Sequence, residues 1–167
     1  MADRRSDEVD LLIDAWAGQL PEVDFSPLDI MSRLRRISLR LNGIRAQAFR
    51  SAGLAIWEFD VLAALRRAGE PFQLSPAQLV RITMVTSGTL SNRLDLLEER
   101  GFVERRRNPE DGRGVLVHMT DEGRELVDAA MVALVSSEDE QLAGLSRGER
   151  DELIELLRRL GDAIHLD

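Results

Sequence analysis

A chain of 167 residues is long enough for one domain with a real core and too short for two comfortable ones. Apolar residues at 44% and charged residues at 31% exclude a mostly disordered chain, and the absence of cysteine excludes disulfides, thiolate metal sites and thiol redox sensing. The net charge of -8 weighs against nucleic acid as a partner unless the 22 basic residues, all arginine, are locally concentrated.

The opening MADRRSDEVD is charged where a signal peptide carries an apolar stretch, and uninterrupted apolar runs are only a few residues long. A cytoplasmic protein with no membrane span is expected. Helices are predicted from Asp7 to Leu20 and from Ser26 to Arg50, separated by Pro21 and the Asp24–Ser26 linker. In the second, Ser26 is the predicted N-cap, Pro27 the first helical residue and Asp29 an acid beside the exposed amides. Ile30, Leu34, Ile37, Leu41, Ile44 and Ala48 then form a narrow seam along about 38 Å of helix. Such a seam meets another helix, either in its own domain or across a dimer, and Gly53 is the predicted C-cap.

Phe59 to Arg67 is apolar almost all round except for Asp60, and Gly69 and Pro71 stop it. The capping signature Ser75-Pro76-Ala77-Gln78 opens a short helix through Ile82, and a further helix runs from about Thr86 to Arg100, before Gly101. Phe102 to Arg106 and Val115 to Met119 are predicted strands joined by the turn NPEDGRG. Thr120 caps a helix to about Leu142, and Ser146-Arg147-Gly148-Glu149 opens a last one, with Leu153, Leu157, Leu160 and Ile164 on one stripe. The predicted fold class is mainly α with a small β-hairpin wing: a winged helix-turn-helix between N- and C-terminal helices.

Two short helices followed by a hairpin have a mechanical rationale, since the second helix can lie in the DNA major groove while the hairpin reaches phosphate or minor groove. Projected at 100° per residue, Leu90, Leu94 and Leu97 fall on one side of the Thr86–Arg100 helix, and Gly88, Asn92, Asp95 and Glu99 on the other. The candidate DNA contacts at its start are Thr86, Ser87, Gly88, Thr89, Ser91 and Asn92, small or hydroxyl-bearing residues suited to phosphates and base edges. Hydroxyls there also serve as ordinary helix caps. The neighbouring hairpin favours DNA: Arg105, Arg106, Arg107 and Arg113 against Glu110 and Asp111 leave a local net charge of +2 in an acidic chain.

The run LVRITMVTSGTLSNRLDLLEERGFVERRRNPEDGRGVLVHMTDEGRELV resembles the core of the MarR family of bacterial winged-helix regulators, in its recognition helix, its Gly101 turn, its Asp111-x-Arg113 wing and its MTDEGRELV entry to the next helix. The resemblance implies one domain over 1–167, with dimerisation helices at 7–53 and 120–166 around a DNA-binding region at 54–119. It further implies a homodimer on double-stranded operator DNA with half-sites about one helical turn apart, Arg113 in the minor groove and Asp111 orienting it. Gly112 stands where many relatives carry a further basic residue.

The segment DEVDLLIDAWAGQLPEVDFSPLDI resembles the added N-terminal helix of the urate-responsive branch of that family. That resemblance implies a small anionic aromatic effector framed by Trp16, Asp60 and Arg93, with Arg105 as a fourth residue. Asp60 is the lone acid in FDVLAAL, where burial requires a partner. With only His118 and His165, a histidine-rich metal sensor is not expected, and no cofactor is implied. No nucleophile-base arrangement or phosphate-cradling glycine loop suggests an enzyme. The competing class is a winged-helix module that binds protein without touching DNA, for which the acidic balance and Gly112 speak.

Overall fold

A computed structural model describes residues 6–109 and 114–164. The chain divides into two compact units, one ending at Arg45 and the other beginning at Ala46.

The first unit holds α1 (Glu8–Gln19) and most of α2 (Ser26–Ser51). Asp7 caps α1 by accepting the Val9 and Asp10 amides, and the Asp10 side chain accepts the Asp7 amide in return at 2.7 Å. Arg33 on α2 gathers the carboxylates of Asp7, Asp10 and Asp29 at 2.9, 2.8 and 2.7 Å, and Arg36 pairs with Glu8. The Asp7 amide and then Arg33 hold the Asp10 carboxyl below its ordinary value. Partial desolvation pushes the Asp7 carboxyl upward, but the Val9 and Asp10 amides and Arg33 outweigh it and hold it low. Ser26 already belongs to α2 rather than capping it: the Asp24 carboxylate accepts both its amide and its hydroxyl at 2.9 Å. An acid two residues upstream competes well for an exposed amide, which shifts the cap position.

In the second unit, α2 ends where Gly53, at φ 79°, donates its amide to Arg50, and the Leu54 amide reaches back to the Phe49 carbonyl. That paired closure needs a residue tolerant of the left-handed region, hence the glycine. The next helix, α3 (Ile56–Arg67), begins three residues before the apolar run at Phe59, because the Glu58 carboxylate accepts the Ala55 amide and completes the first turn. Phe59, Val61, Leu62, Ala63, Ala64 and Leu65 are all buried, which makes α3 the central rod of the core, with Phe59 stacked on Phe49.

Against it pack α4 (Pro76–Thr83), opened by the Ser75/Gln78 capping box, and α5 (Ser87–Glu99), capped by Thr86. Among the described residues the sheet has three strands, not the two predicted: β1 (Gln73–Leu74), β2 (Val103–Arg107) and β3 (Val115–Met119), ordered β1-β3-β2 and antiparallel. A two-residue strand is too short to show alternation in sequence. The hairpin register sets Arg105 opposite Val117 and Arg107 opposite Val115.

Thr120 caps α6 (Asp121–Gln141) and donates its hydroxyl to the Gly101 carbonyl. Gly123 lies so close to the sheet that a Cβ there would sit 2.3 Å from the Phe102 carbonyl oxygen. The glycine of MTDEGRELV is therefore a steric requirement for seating α6 at the foot of the wing. The Ser146/Glu149 capping box opens α7 (Arg147–Ala163), none of whose residues is buried.

Candidate nucleic-acid interface

Leu90, Leu94 and Leu97 of α5 are buried as the projection predicts, while Ser87, Gly88, Thr89, Ser91, Asn92, Asp95 and Glu99 are exposed. At the start of α5 the Thr89 amide donates to the Thr86 hydroxyl at 3.2 Å, and the two threonine hydroxyls lie 2.9 Å apart. Thr86 and Thr89 thus organise the first turn. Ser87, Gly88, Ser91 and Asn92 present the outward surface, with the helix's positive end behind them. The turn before α5 places Met84 at φ 51° and 90% exposed. Nothing in the sequence marks a methionine for a left-handed turn, and the reading missed it.

The three wing arginines differ in state. Arg105 is half-buried and folds back onto α5, its guanidinium 2.6 Å from Asp95 and 2.6 Å from Glu98, while its amide donates to Glu98 at 2.9 Å. Desolvation works against its charge, but Asp95 and Glu98 outweigh that and raise its pKa above the ordinary arginine value. Arg106 is exposed and bonded to Glu104 at 2.8 and 3.0 Å. Arg107 is exposed at the last pair of the hairpin. The predicted tip residues Asp111 and Arg113 lie outside the described residues.

The predicted effector residues do not all sit as expected. Asp60 is exposed, so the burial argument for it does not hold; the buried acid of α3 is Glu58, 4% exposed. One helical step of about 100° per residue decides this, and Glu58 lies two steps from Asp60 on the inward side. Arg93 is half-buried on the flank of α5, with its guanidinium 5.6 Å from the centre of the Trp57 ring, an aromatic the sequence reading did not single out. Trp16, in the first unit, is exposed on one side and stacks on Phe25 at 6.3 Å. A cavity of about 360 Å³ opens between α4 and α5, lined by Pro76, Val80, Ser87, Ser91, Leu94 and Arg105 among others. Among the described residues no cluster of three or more metal-ligating side chains occurs, and no helix is long and apolar enough to cross a membrane.

The family model described as "MarR family" matches residues 52–114, from the end of α2 to the wing. Over 153 residues the chain is 35% identical to the HTH-type transcriptional regulator PecS of Dickeya dadantii, covering 92% of each protein. The chain belongs to the MarR family. Its fold matches that of E. coli MarR in the apo form, with a TM-score of 0.67 and 26% identity over 78% of this chain and 95% of that one. It also matches Bordetella bronchiseptica BpsR, with a TM-score of 0.65 and 30% identity over 85% and 99% of the two chains. As a MarR-family protein it is a DNA-binding transcription regulator of mainly helical fold with a small antiparallel sheet. In that fold α4 and α5 are the two helices of the helix-turn-helix and β2-β3 the hairpin wing.

Proposed function

We propose that the protein is a homodimeric, effector-responsive repressor that binds a pseudo-palindromic operator. The observation that carries this reading is the division of α5 into an inward leucine face and an outward face of Ser87, Gly88, Ser91 and Asn92, flanked by the arginines of β2. Asn92 is suited to bidentate pairing with adenine, and Ser87 and Ser91 to phosphates or base edges. Arg107 adds phosphate attraction from the wing, Arg106 shares that role with its Glu104 pair, and Arg113, with Asp111, is assigned to the minor groove. The exposed apolar residues of α2, α6 and α7, including Ile37, Val132, Val135 and Leu157, support assembly with a second copy, which would set two recognition helices one turn of DNA apart. The test is selection of duplexes from a random-sequence pool. An inverted repeat should emerge, and the Asn92→Ala, Arg113→Ala double variant should lose it. Selection of no DNA, with retention of cellular proteins instead, would favour the protein-binding alternative.

The effector proposed is a small anionic aromatic. BpsR is a relative whose DNA binding is regulated by 6-hydroxynicotinic acid. Support in this chain comes from the cavity between α4 and α5 beside Arg105. The Arg93–Trp57 contact lies on the other flank of α5 and is a second place for an anion, and Trp16 and Asp60 are candidates by the family resemblance alone. An anion that competes with Asp95 and Glu98 for Arg105 would loosen the wing from α5 and shift the population away from the DNA-binding form. Titration with urate, salicylate and 6-hydroxynicotinate should release DNA in the wild type, with a weaker response in Arg105→Ala. A weaker response in Arg93→Ala instead, with quenching of tryptophan fluorescence, would move the ligand to the Arg93–Trp57 flank. No release by any of the three would remove the effector reading while leaving operator binding intact.

A further inference from the structure

Glu58 is the buried charged residue among the described ones, 4% exposed. Its two oxygens serve different masters. One accepts the Ala55 amide at 2.7 Å at the start of α3, and the other accepts from Arg100 at 2.5 Å. Arg100 stands at the C-cap of α5, and its second terminal nitrogen donates to the Gly53 carbonyl at 3.0 Å. Its guanidinium lies over the Phe102 ring at 4.5 Å.

The backbone around this contact is closed in the same way on both sides. The α2 end reverses through Gly53, and the α5 end through Gly101 at φ 76°, where the Gly101 amide donates to Glu98 and the Phe102 amide to Leu97. Two helix C-termini therefore meet one guanidinium, directly at Gly53 and through Arg100's own cap position, and a cation is favoured at both. The Gly101 carbonyl, in turn, accepts the Thr120 hydroxyl that caps α6.

The outward face of α5, at Ser87 to Asn92, lies roughly two to three and a half turns from this anchor. A helix is stiff over that length, so a change of seat at Arg100 re-aims the reading face without touching it. Arg100 itself adjoins the acidic end of α5, where Glu98 and Glu99 stand, and this places it away from phosphates. We infer that the Arg100–Glu58 pair is the pivot of the recognition helix: a positioning pair that ties the α2–α3 corner to α5 and sets operator discrimination. Only the Glu58 carboxylate is buried, while the Arg100 side chain stays 42% exposed, so the pair fixes a geometry at the inner end more than it adds stability, because desolvating Glu58 offsets part of the attraction.

This inference rests on the operator-binding reading, and the experiment separates the two. Wild-type protein selects a duplex from a random pool, and fluorescence anisotropy compares that duplex with a scrambled one of equal length for wild type, Arg100→Ala, Arg100→Lys and Glu58→Gln. Glu58→Gln keeps an acceptor for the Ala55 amide while removing the charge facing Arg100. Lysine cannot hold Glu58 and Gly53 with a planar fork. The expected result is a loss of selected-duplex affinity of about tenfold or more in Arg100→Ala and a smaller loss in the other two, with scrambled-duplex affinity within about threefold of wild type. Equal losses on both duplexes, or none on either, would overturn the pivot. Should Arg100→Ala fail to fold, Glu58→Gln and Arg100→Lys decide by the same comparison. A wild type that selects no duplex would instead defeat operator binding itself.

Discussion

Leu94 and Leu157 are the same residue on the apolar stripes of two amphipathic helices, yet Leu94 is 2% exposed and Leu157 44%. The α5 helix finds its cover within the chain, from α3, α4 and the wing; α7 does not. The difference separates a winged core that completes itself from α7, which has hydrophobic patterning but no buried residue. It predicts that the same kind of damage will have opposite signatures in the two places. Leu94→Ala should remove about 3 kcal/mol of stability through lost burial and the cavity left behind, read as a fall in chemical-denaturation midpoint at any protein concentration. An unchanged midpoint would mean that the core closes over the gap and is less tightly packed than its burial implies.

Leu157→Glu should barely change the folding of a protomer, since the residue is half open. The expected effect is on the proposed assembly with a second copy: about a hundredfold weaker association, seen by sedimentation as a shift to monomer at micromolar concentration, because a carboxylate would have to be desolvated in the interface. A variant that stays dimeric would put the second copy elsewhere on α2 or α6 and spoil the contrast with Leu94.

The same distinction between engaged and open side chains divides the wing. Arg105 is held by Asp95 and Glu98, so its charge is compensated; Arg107 is exposed at the end of the hairpin. Arg107→Ala should weaken DNA binding across sequences and lower the salt slope by about 1. Arg105→Ala should change the slope less, because it releases two carboxylates as it removes one cation, and should act through wing position. Equal slopes for the two variants would return Arg105 to the role of a phosphate contact.

Much of this was legible in the sequence. The caps at Thr86, Ser75, Thr120 and Ser146 placed four helix starts, since each is a local exchange between a side chain and an amide two or three residues on. The inward leucines of α5 followed from periodicity alone. What escaped depended on distant partners. Glu58 looks like a solvated acid until Arg100, 42 residues later, is seen beside it. Trp57 gains meaning from Arg93, β1 exists because β3 pairs with it, and Asp60 faces outward although its apolar neighbours suggest a uniformly inward helix.

The smallest expected effect concerns the sheet behind the wing. His118 on β3 is half-buried, opposite Glu104 on β2 and Gln73 on β1, and its Nδ1 is buried with no hydrogen-bond partner among the described residues. Desolvation and then the Arg106 guanidinium push its pKa below the ordinary histidine value, against a weaker upward pull from Glu104 and Asp121. The folded state therefore favours neutral imidazole, and the unfolded chain takes up the proton more readily. The resulting contribution to stability is intact above the ordinary histidine pKa and is lost as pH falls through the depressed value. As pH falls below about 6.5 into the weakly acidic range, wild type should lose denaturant stability more steeply than His118→Gln, which carries no titrating group there. The Asp7 and Asp10 carboxyls, held low by backbone amides and Arg33, respond only in stronger acid and do not overlap that window. Parallel pH profiles for the two proteins would mean that His118 accepts its proton without disturbing the sheet, and that the wing's base, unlike the leucine face of α5, tolerates a buried charge.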